Sequence, residues 1–182
     1  MGVVTKLFCI FVSLLSLSCC QKESSKEFIL FDFESDSELD QLYWNCHTLY
    51  SLSNDHATHG SRSLKMEVYP SDYPGLIPML PVTDWRGYEE FCFDVYNPSE
   101  QALQIGVRID DRKDYPEFAD RYNKNFVVNK GNNHIVIPLE TLISSGSNRP
   151  LSLSQIQRLF IFTRHPLKKT ILYIDDLQVL RK

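Results

Sequence analysis

The chain contains the stretch FCFDVYNP at residues 91–98, in which a run of aromatic and aliphatic side chains stops at an Asn-Pro pair. Aromatic and β-branched residues are enriched in β-strands, and Asn97-Pro98 is a turn signal. The stretch therefore predicts one short strand that ends at a turn.

The same pattern recurs along the chain, with turn signals such as KGNN at 130–133 and SGSN at 145–148 between the runs. Further strands are predicted at residues 28–34, 63–69, 103–109, 125–128, 134–137, 159–163 and 170–180. Helix is limited to a turn or two at 139–144 and 152–157, with Ser154 as an N-cap. Many short strands separated by turns indicate a sandwich or barrel, and we predict an all-β sandwich of the jelly-roll kind.

The first 26 residues have the composition of an export signal. Lys6 precedes an apolar run over 7–17, the small-residue region LSCC at 17–20 and the polar stretch QKESSK at 21–26, which is the order of a secretory signal. The apolar run is shorter than the roughly 20 residues of a membrane-spanning helix. The segment resembles the signal of a bacterial lipoprotein, which is acylated on the cysteine that becomes the mature N-terminus. Leu17 and Ser18 favour Cys20 as that residue, with Cys19 as the alternative.

These features predict three parts: a lipoprotein signal peptide at 1–19, an acylated N-terminus and polar tether at 20–27, and one β-sandwich domain at 28–182. The chain of 182 residues has a net charge of −4. A net negative charge argues against the basic surface that a nucleic-acid-binding protein needs. It also argues against a surface patch of Lys and Arg that binds anionic lipid. Acyl chains would hold the membrane instead, and more than one is needed for stable anchoring. We expect export to the bacterial envelope, at the outer membrane in a Gram-negative cell.

Only two cysteines, Cys46 and Cys92, lie in the predicted folded domain. An exported protein meets an oxidising compartment, so a disulfide is chemically permitted. We favour two buried thiols that pack as small hydrophobic side chains.

The order of short motifs from residue 28 onward resembles the galactose-binding-domain-like β-sandwich of bacterial carbohydrate-binding modules. The motifs are FDFE at 31–34, ATHGSRSLK at 57–65, DWRGY at 84–88, FDVYNP at 93–98, VRIDD at 107–111, DRYN at 120–123, GNNHIVIPL at 131–139 and LYIDDL at 172–177. The resemblance implies carbohydrate binding. It also implies a structural Ca²⁺ held by Glu34, the loop at Gly60 and Asp175. Calcium takes six to eight oxygen ligands, while His56 and His59 are expected to be solvated loop residues.

A sugar-binding site needs aromatic side chains for the apolar faces of the sugar and planar polar groups for its hydroxyls. The densest cluster of such groups is DRYN at 120–123 beside the pair Asp110-Asp111. The predicted binding residues are Asp110, Asp111, Arg121, Tyr122, Asn123, Trp85, Tyr115 and Trp44, with Tyr43, Tyr73 and Arg164 as further candidates. Two alternatives stay open: Trp85 packs in the core, and Arg121 only pairs with Asp110 or Asp111, which at the surface contributes ~0–1 kcal/mol.

Three functions follow from these expectations. The first is a lipid-anchored, non-catalytic protein that binds a polysaccharide or oligosaccharide. The second is an envelope adaptor that binds a protein partner with the same sandwich. The third is a small polysaccharide lyase or glycoside hydrolase, which is disfavoured because the chain has no zinc-protease, serine-hydrolase or phosphate-loop motif.

Overall fold

The computed structural model describes residues 27–181, so the predicted signal peptide and nearly all of the tether lie outside the described residues. The described part forms ten strands. They are β1 (Glu27–Phe31), β2 (Thr48–Ser53), β3 (Ser63–Val68), β4 (Gly75–Leu76), β5 (Glu90–Asn97), β6 (Leu103–Asp110), β7 (Tyr122–Val128), β8 (Gly131–Pro138), β9 (Arg158–Thr163) and β10 (Thr170–Leu180). Short 3₁₀ helices occupy Asp36–Gln41, Phe118–Asp120 and Leu139–Thr141.

Two antiparallel sheets form the sandwich. The six-stranded sheet has the order β2-β3-β10-β5-β8, with β1 paired to the C-terminal half of β10, while the four-stranded sheet has the order β4-β9-β6-β7. The register between β10 and β5 shifts between Asp175 and Gln178, where Asp176 has a φ of 51°. Such a bulge bends a strand, and here it separates the part of β10 that pairs with β3 from the part that pairs with β1.

The opening stretch forms β5, a central strand of the larger sheet. Phe91, Phe93 and Val95 are buried between the sheets, and the rings of Phe91 and Trp85 stack at 5.4 Å between centroids. Ile105, Val107 and Ile109 of β6 contribute the facing layer, because alternate residues of a strand lie on the same face. The predicted all-β jelly-roll sandwich is confirmed.

Three local predictions differ from the structure. β2 and β4 were not predicted, since β2 carries alternating polar residues at a sheet edge and β4 has only two residues. The predicted helix at 152–157 is wrong. Its backbone amides bond to distant carbonyls instead, with Ile156 donating to Thr83 (2.7 Å) and Gln157 donating to Asp110 (2.7 Å).

Both cysteines of the described domain are free thiols. Burial, together with the acidic groups of Glu90, Asp176 and Asp94, raises the pKa of Cys92 to about 11. The expectation of a buried thiol is correct for Cys92 and wrong for Cys46, which is exposed. Between residues 27 and 181 there is no helix of the length and apolarity that crossing a membrane requires.

Two tryptophans that the sequence placed together in a binding site occupy opposite environments, and this predicts different responses to truncation. Trp85 is fully buried and Trp44 is 81% exposed. Trp85→Ala is expected to lower the free energy of unfolding by about 3–5 kcal/mol, because it leaves a cavity. Trp44→Ala is expected to change it by less than about 0.5 kcal/mol. Urea denaturation followed by circular dichroism measures both, and equal losses would contradict the core position of Trp85.

Candidate functional site

A groove of about 280 Å³ lies on the outer face of the four-stranded sheet. Side chains from β6, β7 and β9 form its floor, and the segments before β4 and β7 and after β9 form its walls. The lining consists of Tyr73, Arg108, Phe118, Arg121, Asn123, Asn125, Phe160, Phe162 and Arg164. The groove therefore extends over most of the width of this sheet.

Strand register sets the order of the groove floor. Arg108 of β6 lies opposite Asn123 of β7 and Phe160 of β9. Two residues earlier on β6, Gly106 lies opposite Asn125 and Phe162. Residues two apart on a strand face the same side, so each row across the sheet places an aromatic ring on one side and an amide on the other.

The aromatic part of the floor depends on a glycine. A Cβ atom added to Gly106 would lie under 3.0 Å from three atoms of the Phe162 ring, so this ring lies directly over the Gly106 backbone. The Tyr73 ring meets Phe162 edge-on at 5.6 Å between centroids, and Phe160 lies 4.7 Å from Phe162. Tyr73 and Phe160 supply the accessible apolar surface at this end of the groove, and Phe162, only 8% exposed, packs against both of them.

A buried carboxylate holds two arginines at the other side of the floor. Arg108 donates from Nε (2.8 Å) and Nη2 (2.6 Å) to Asp110, and Arg158 donates from Nη1 (2.7 Å) to the same carboxylate. Asp110 is fully buried, so it orients these guanidinium groups and does not contact a ligand itself. The exposed ring of Tyr115 lies 4.0 Å from the Arg158 guanidinium carbon, which places Tyr115 beside the groove.

Arg121 enters the groove without a carboxylate partner in residues 27–181. Its Nε atom is buried and has no hydrogen-bond partner there, and its guanidinium carbon lies 5.8 Å from the centre of the Phe118 ring. Burial, and then repulsion from Arg108, lower the pKa of Arg121. The alternative that Arg121 pairs with Asp110 or Asp111 is wrong, because other arginines occupy both carboxylates.

A second ion-pair cluster stands behind the groove wall. Arg149 donates to Asp111 from Nη1 (2.7 Å) and Nη2 (2.9 Å), and to Asp120 from Nε (2.8 Å). Asp111 also accepts from the Ser152 amide (2.7 Å). Burial alone would raise the pKa of Asp111, but these bonds outweigh it and hold the pKa below its ordinary value. Asp111 thus joins the loop before Arg121 to the loop before β9.

The structure brings together only part of the predicted binding set. Arg121, Asn123, Tyr73 and Arg164 line the groove. Trp85 and Tyr122 lie in the core instead, and burial raises the pKa of Tyr122 to about 12. Trp44 is exposed outside the groove lining.

Five groove residues were not identified from the sequence: Arg108, Phe118, Asn125, Phe160 and Phe162. The strand RLFIFT of β9 carried a signal for two of them. Leu159 and Ile161 face the core. Phe160 and Phe162 alternate with them, so their aromatic rings lie on the outer face of the sheet. An outward-facing aromatic pair on a strand is a recognisable indication of a binding surface.

The predicted calcium ligands are brought to one loop, but their oxygens are already used. Glu34 accepts hydrogen bonds from the amides of Ser61 (2.7 Å) and Arg62 (2.6 Å), and Asp175 accepts from the amides of Thr58 (2.6 Å) and His59 (3.0 Å). Calcium requires oxygen atoms directed at one point, and N–H donors occupy that side of the carboxylates. In the described structure these two carboxylates therefore bind backbone amides, and within 27–181 there is no group of three His, Cys, Asp or Glu residues that could hold a metal ion. The calcium site stays a prediction.

No family model and no curated protein sequence matches the chain. Among solved structures, an exo-β-agarase is similar with a TM-score of 0.68 and 16% identity, over 85% of this chain and 25% of that one. The family 11 carbohydrate-binding module from Clostridium thermocellum, in complex with a β-1,3-1,4-mixed-linked tetrasaccharide, has a TM-score of 0.60 and 15% identity, over 85% and 95%.

The CBM22-2 xylan-binding domain from Paenibacillus barcinonensis Xyn10C has a TM-score of 0.56 and 18% identity, over 84% and 99%. This chain thus spans a quarter of the agarase structure and nearly the whole length of the two modules. These similarities show that the chain has the jelly-roll β-sandwich fold of carbohydrate-binding modules.

The Asp111 cluster predicts a dependence of stability on pH. The folded-state pKa values of Asp111 and Asp120 lie below the ordinary value of 3.8, so their contribution is present above pH 3.8 and is lost as the pH falls through the folded-state values. Asp111→Asn is expected to lower the free energy of unfolding at pH 7 by about 2 kcal/mol and to make the loss on acidification smaller. Urea denaturation between about pH 2 and 7 measures both.

Lys130→Gln serves as the control, because the pair of Lys130 with Glu100 is exposed, involves neither Asp111 nor Asp120 and contributes ~0–1 kcal/mol. An identical acid dependence in the Asp111 variant and the unmodified protein would show that the cluster does not hold the groove wall.

Proposed function

We propose that this protein is a non-catalytic polysaccharide-binding protein, and that the groove on the four-stranded sheet is its binding site. One observation carries the proposal: packed aromatic rings and planar hydrogen-bonding groups line the same groove. A sugar ring has an apolar C–H face and a rim of hydroxyls, so it needs both kinds of contact. The match in fold to one module in complex with a β-1,3-1,4-mixed-linked tetrasaccharide and to a xylan-binding domain supports this choice.

The amides of the groove floor suit hydroxyl recognition. An asparagine side chain donates and accepts, as a sugar hydroxyl does. Asn123 is positioned from behind, because its Nδ2 atom lies 3.4 Å from the Arg121 carbonyl and 3.3 Å from Ser145 Oγ. Asn125, one row further along β7, is exposed and can contact a second hydroxyl group of the same polysaccharide.

The composition of the lining favours binding over hydrolysis. Most glycoside hydrolases use a pair of Asp or Glu residues on either side of the scissile bond. The groove lining, within the described part of the chain, contains neither residue. Asp110, two residues after Arg108 on the same face of β6, is fully buried and bound to two arginines, so it cannot reach a glycosidic oxygen.

We also propose that the protein is exported and held at the envelope by acyl chains on Cys20, with Cys19 as the alternative. The signal at 1–20 supports this proposal. The position of the N-terminal strand is compatible with it, because β1 belongs to the six-stranded sheet and the groove is on the other sheet. A domain anchored through β1 therefore keeps its groove accessible to a polysaccharide.

The lipid anchor is tested by mass spectrometry of the mature N-terminal peptide. We expect a peptide that begins at Cys20 and carries the mass of attached acyl chains, and we expect Cys20→Ser to abolish this mass. An unmodified N-terminus, or acylation that persists in the Cys20 variant, would contradict the choice of Cys20.

Glycan binding is tested with a polysaccharide panel, followed by isothermal titration calorimetry on the glycans that bind. Tyr73→Ala is expected to weaken binding about tenfold, since truncating a central aromatic contact costs more than 1 kcal/mol. Tyr43→Ala is the matched control, because Tyr43 is similarly exposed but lies outside the groove lining. No response to any polysaccharide, or equal losses in both variants, would contradict the proposed site.

A further inference from the structure

The groove carries a charge opposite to that of the protein. The chain has a net charge of −4, yet the described groove lining holds three arginines and no acidic residue. A cluster of like charges is unfavourable unless an opposite charge lies near it. The position of these arginines in one groove of an acidic protein therefore suggests a negatively charged ligand.

The carboxylates near the groove neutralise these arginines only in part, since Asp110 and Glu117 act on Arg121 from beyond ion-pair distance. Asp110 is shared between Arg108 and Arg158, which leaves one positive charge in excess. Neither Arg121 nor Arg164 forms an ion pair within residues 27–181. The acidic groups of the cluster behind the wall are engaged by Arg149 and Arg112.

Arg121 is the most informative of these residues. It is partly buried, its Nε atom has no partner in the described structure, and it lies beside Arg108 at the groove floor. A guanidinium group presents a planar fork that fits the oxygens of a carboxylate or a sulfate. Water is partly excluded from this position, so such a contact is screened less than one at an open surface.

We propose that the natural ligand is an anionic polysaccharide, whose carboxylate or sulfate groups bind Arg121 and Arg164 while its sugar rings pack on Tyr73, Phe160 and Phe162. This inference rests on the proposed polysaccharide-binding function and specifies its ligand class. Arg121 directly precedes the pair of Tyr122 with Ile109, and Arg164 directly follows the pair of Thr163 with Ile105. The rows that carry Phe160 and Phe162 lie between these two pairs, so an extended polysaccharide contacts both kinds of group.

Two other ligand classes fit the groove less well. A neutral glycan would leave the partly buried Arg121 with only the more distant charges of Asp110 and Glu117 and no carboxylate in direct contact, which is less favourable for a desolvated cation. A nucleic acid presents phosphates along its whole length and requires an extended basic surface. The basic residues here are confined to one groove of an acidic chain.

The inference is tested by calorimetry on the whole chain in detergent, with pairs of glycans that differ only in charge. One pair is a sulfated galactan and its desulfated form, and the other is polygalacturonate and its methyl ester. We expect the charged member of at least one pair to bind at least about tenfold more tightly, and its affinity to fall as NaCl is raised. The pair that shows the difference distinguishes sulfate from carboxylate.

Variants locate the charge. Arg121→Gln and Arg164→Gln are each expected to reduce binding of the charged glycan about tenfold and to reduce binding of its neutral partner much less, because a hydrogen bond between charged groups contributes more than a neutral one. Arg86→Gln is the control, because Arg86 is an exposed arginine paired with Asp84 outside the groove lining. Arg164 is exposed, so its variant keeps the test valid even if Arg121→Gln alters folding.

The outcomes separate the inference from the proposed function. Equal or tighter binding of the neutral members overturns the anionic ligand and leaves the polysaccharide site intact. Binding of none of the glycans overturns both. A single-stranded oligonucleotide that binds as tightly as the charged glycan overturns the polysaccharide class in favour of nucleic acid.

Discussion

The buried carboxylate of Asp110 is the contact on which the groove depends. It accepts hydrogen bonds from Arg108 on its own strand and from Arg158 on the neighbouring strand. A buried carboxylate with no partner is very costly, so this pairing requires β6 and β9 to stay in their register. The same register places Phe160 and Phe162 beside Arg108 and over Gly106.

Two groups of ion pairs, one around Asp110 and one around Asp111 and Asp120, therefore have different structural roles. The Asp110 group contacts the groove through Arg108, whereas the Asp111 and Asp120 group joins loops behind the wall. The acidic residues position arginines in both cases. A single glycine adds a further constraint, because any side chain at position 106 would displace the Phe162 ring from the floor.

The fold and the binding surface carry separate information. A jelly-roll sandwich needs alternating apolar residues on its inner faces, and identities of 15–18% with solved modules are enough to preserve that pattern. Outer-face residues are free of this requirement, so they differ between proteins that share the fold. The arginine-rich groove, and not the fold, is therefore the basis for the ligand class that we propose.

Much of the fold was predictable from local sequence patterns. Runs rich in β-branched and aromatic residues between turn signals located eight of the ten described strands, because strand propensity and turn chemistry are local properties of the sequence. The number of such short strands indicated the sandwich. Edge strands such as β2 were missed, since an edge strand buries too little for a clear pattern.

The roles of the charged residues were decided by the tertiary structure. Sequence proximity suggested that Arg121 pairs with Asp110 or Asp111, yet Asp110 binds Arg158, 48 residues away, and Asp111 binds Arg149, 38 residues away. Trp85 and Tyr122 likewise are residue types that often bind sugars, but both side chains lie in the core. The sequence by itself determined where strands form and what residue types are available. Strand register and loop packing decided which side chains contact each other and which arginine stays without an ion pair in the described structure. The sequence could not show this, because such contacts join distant parts of the chain.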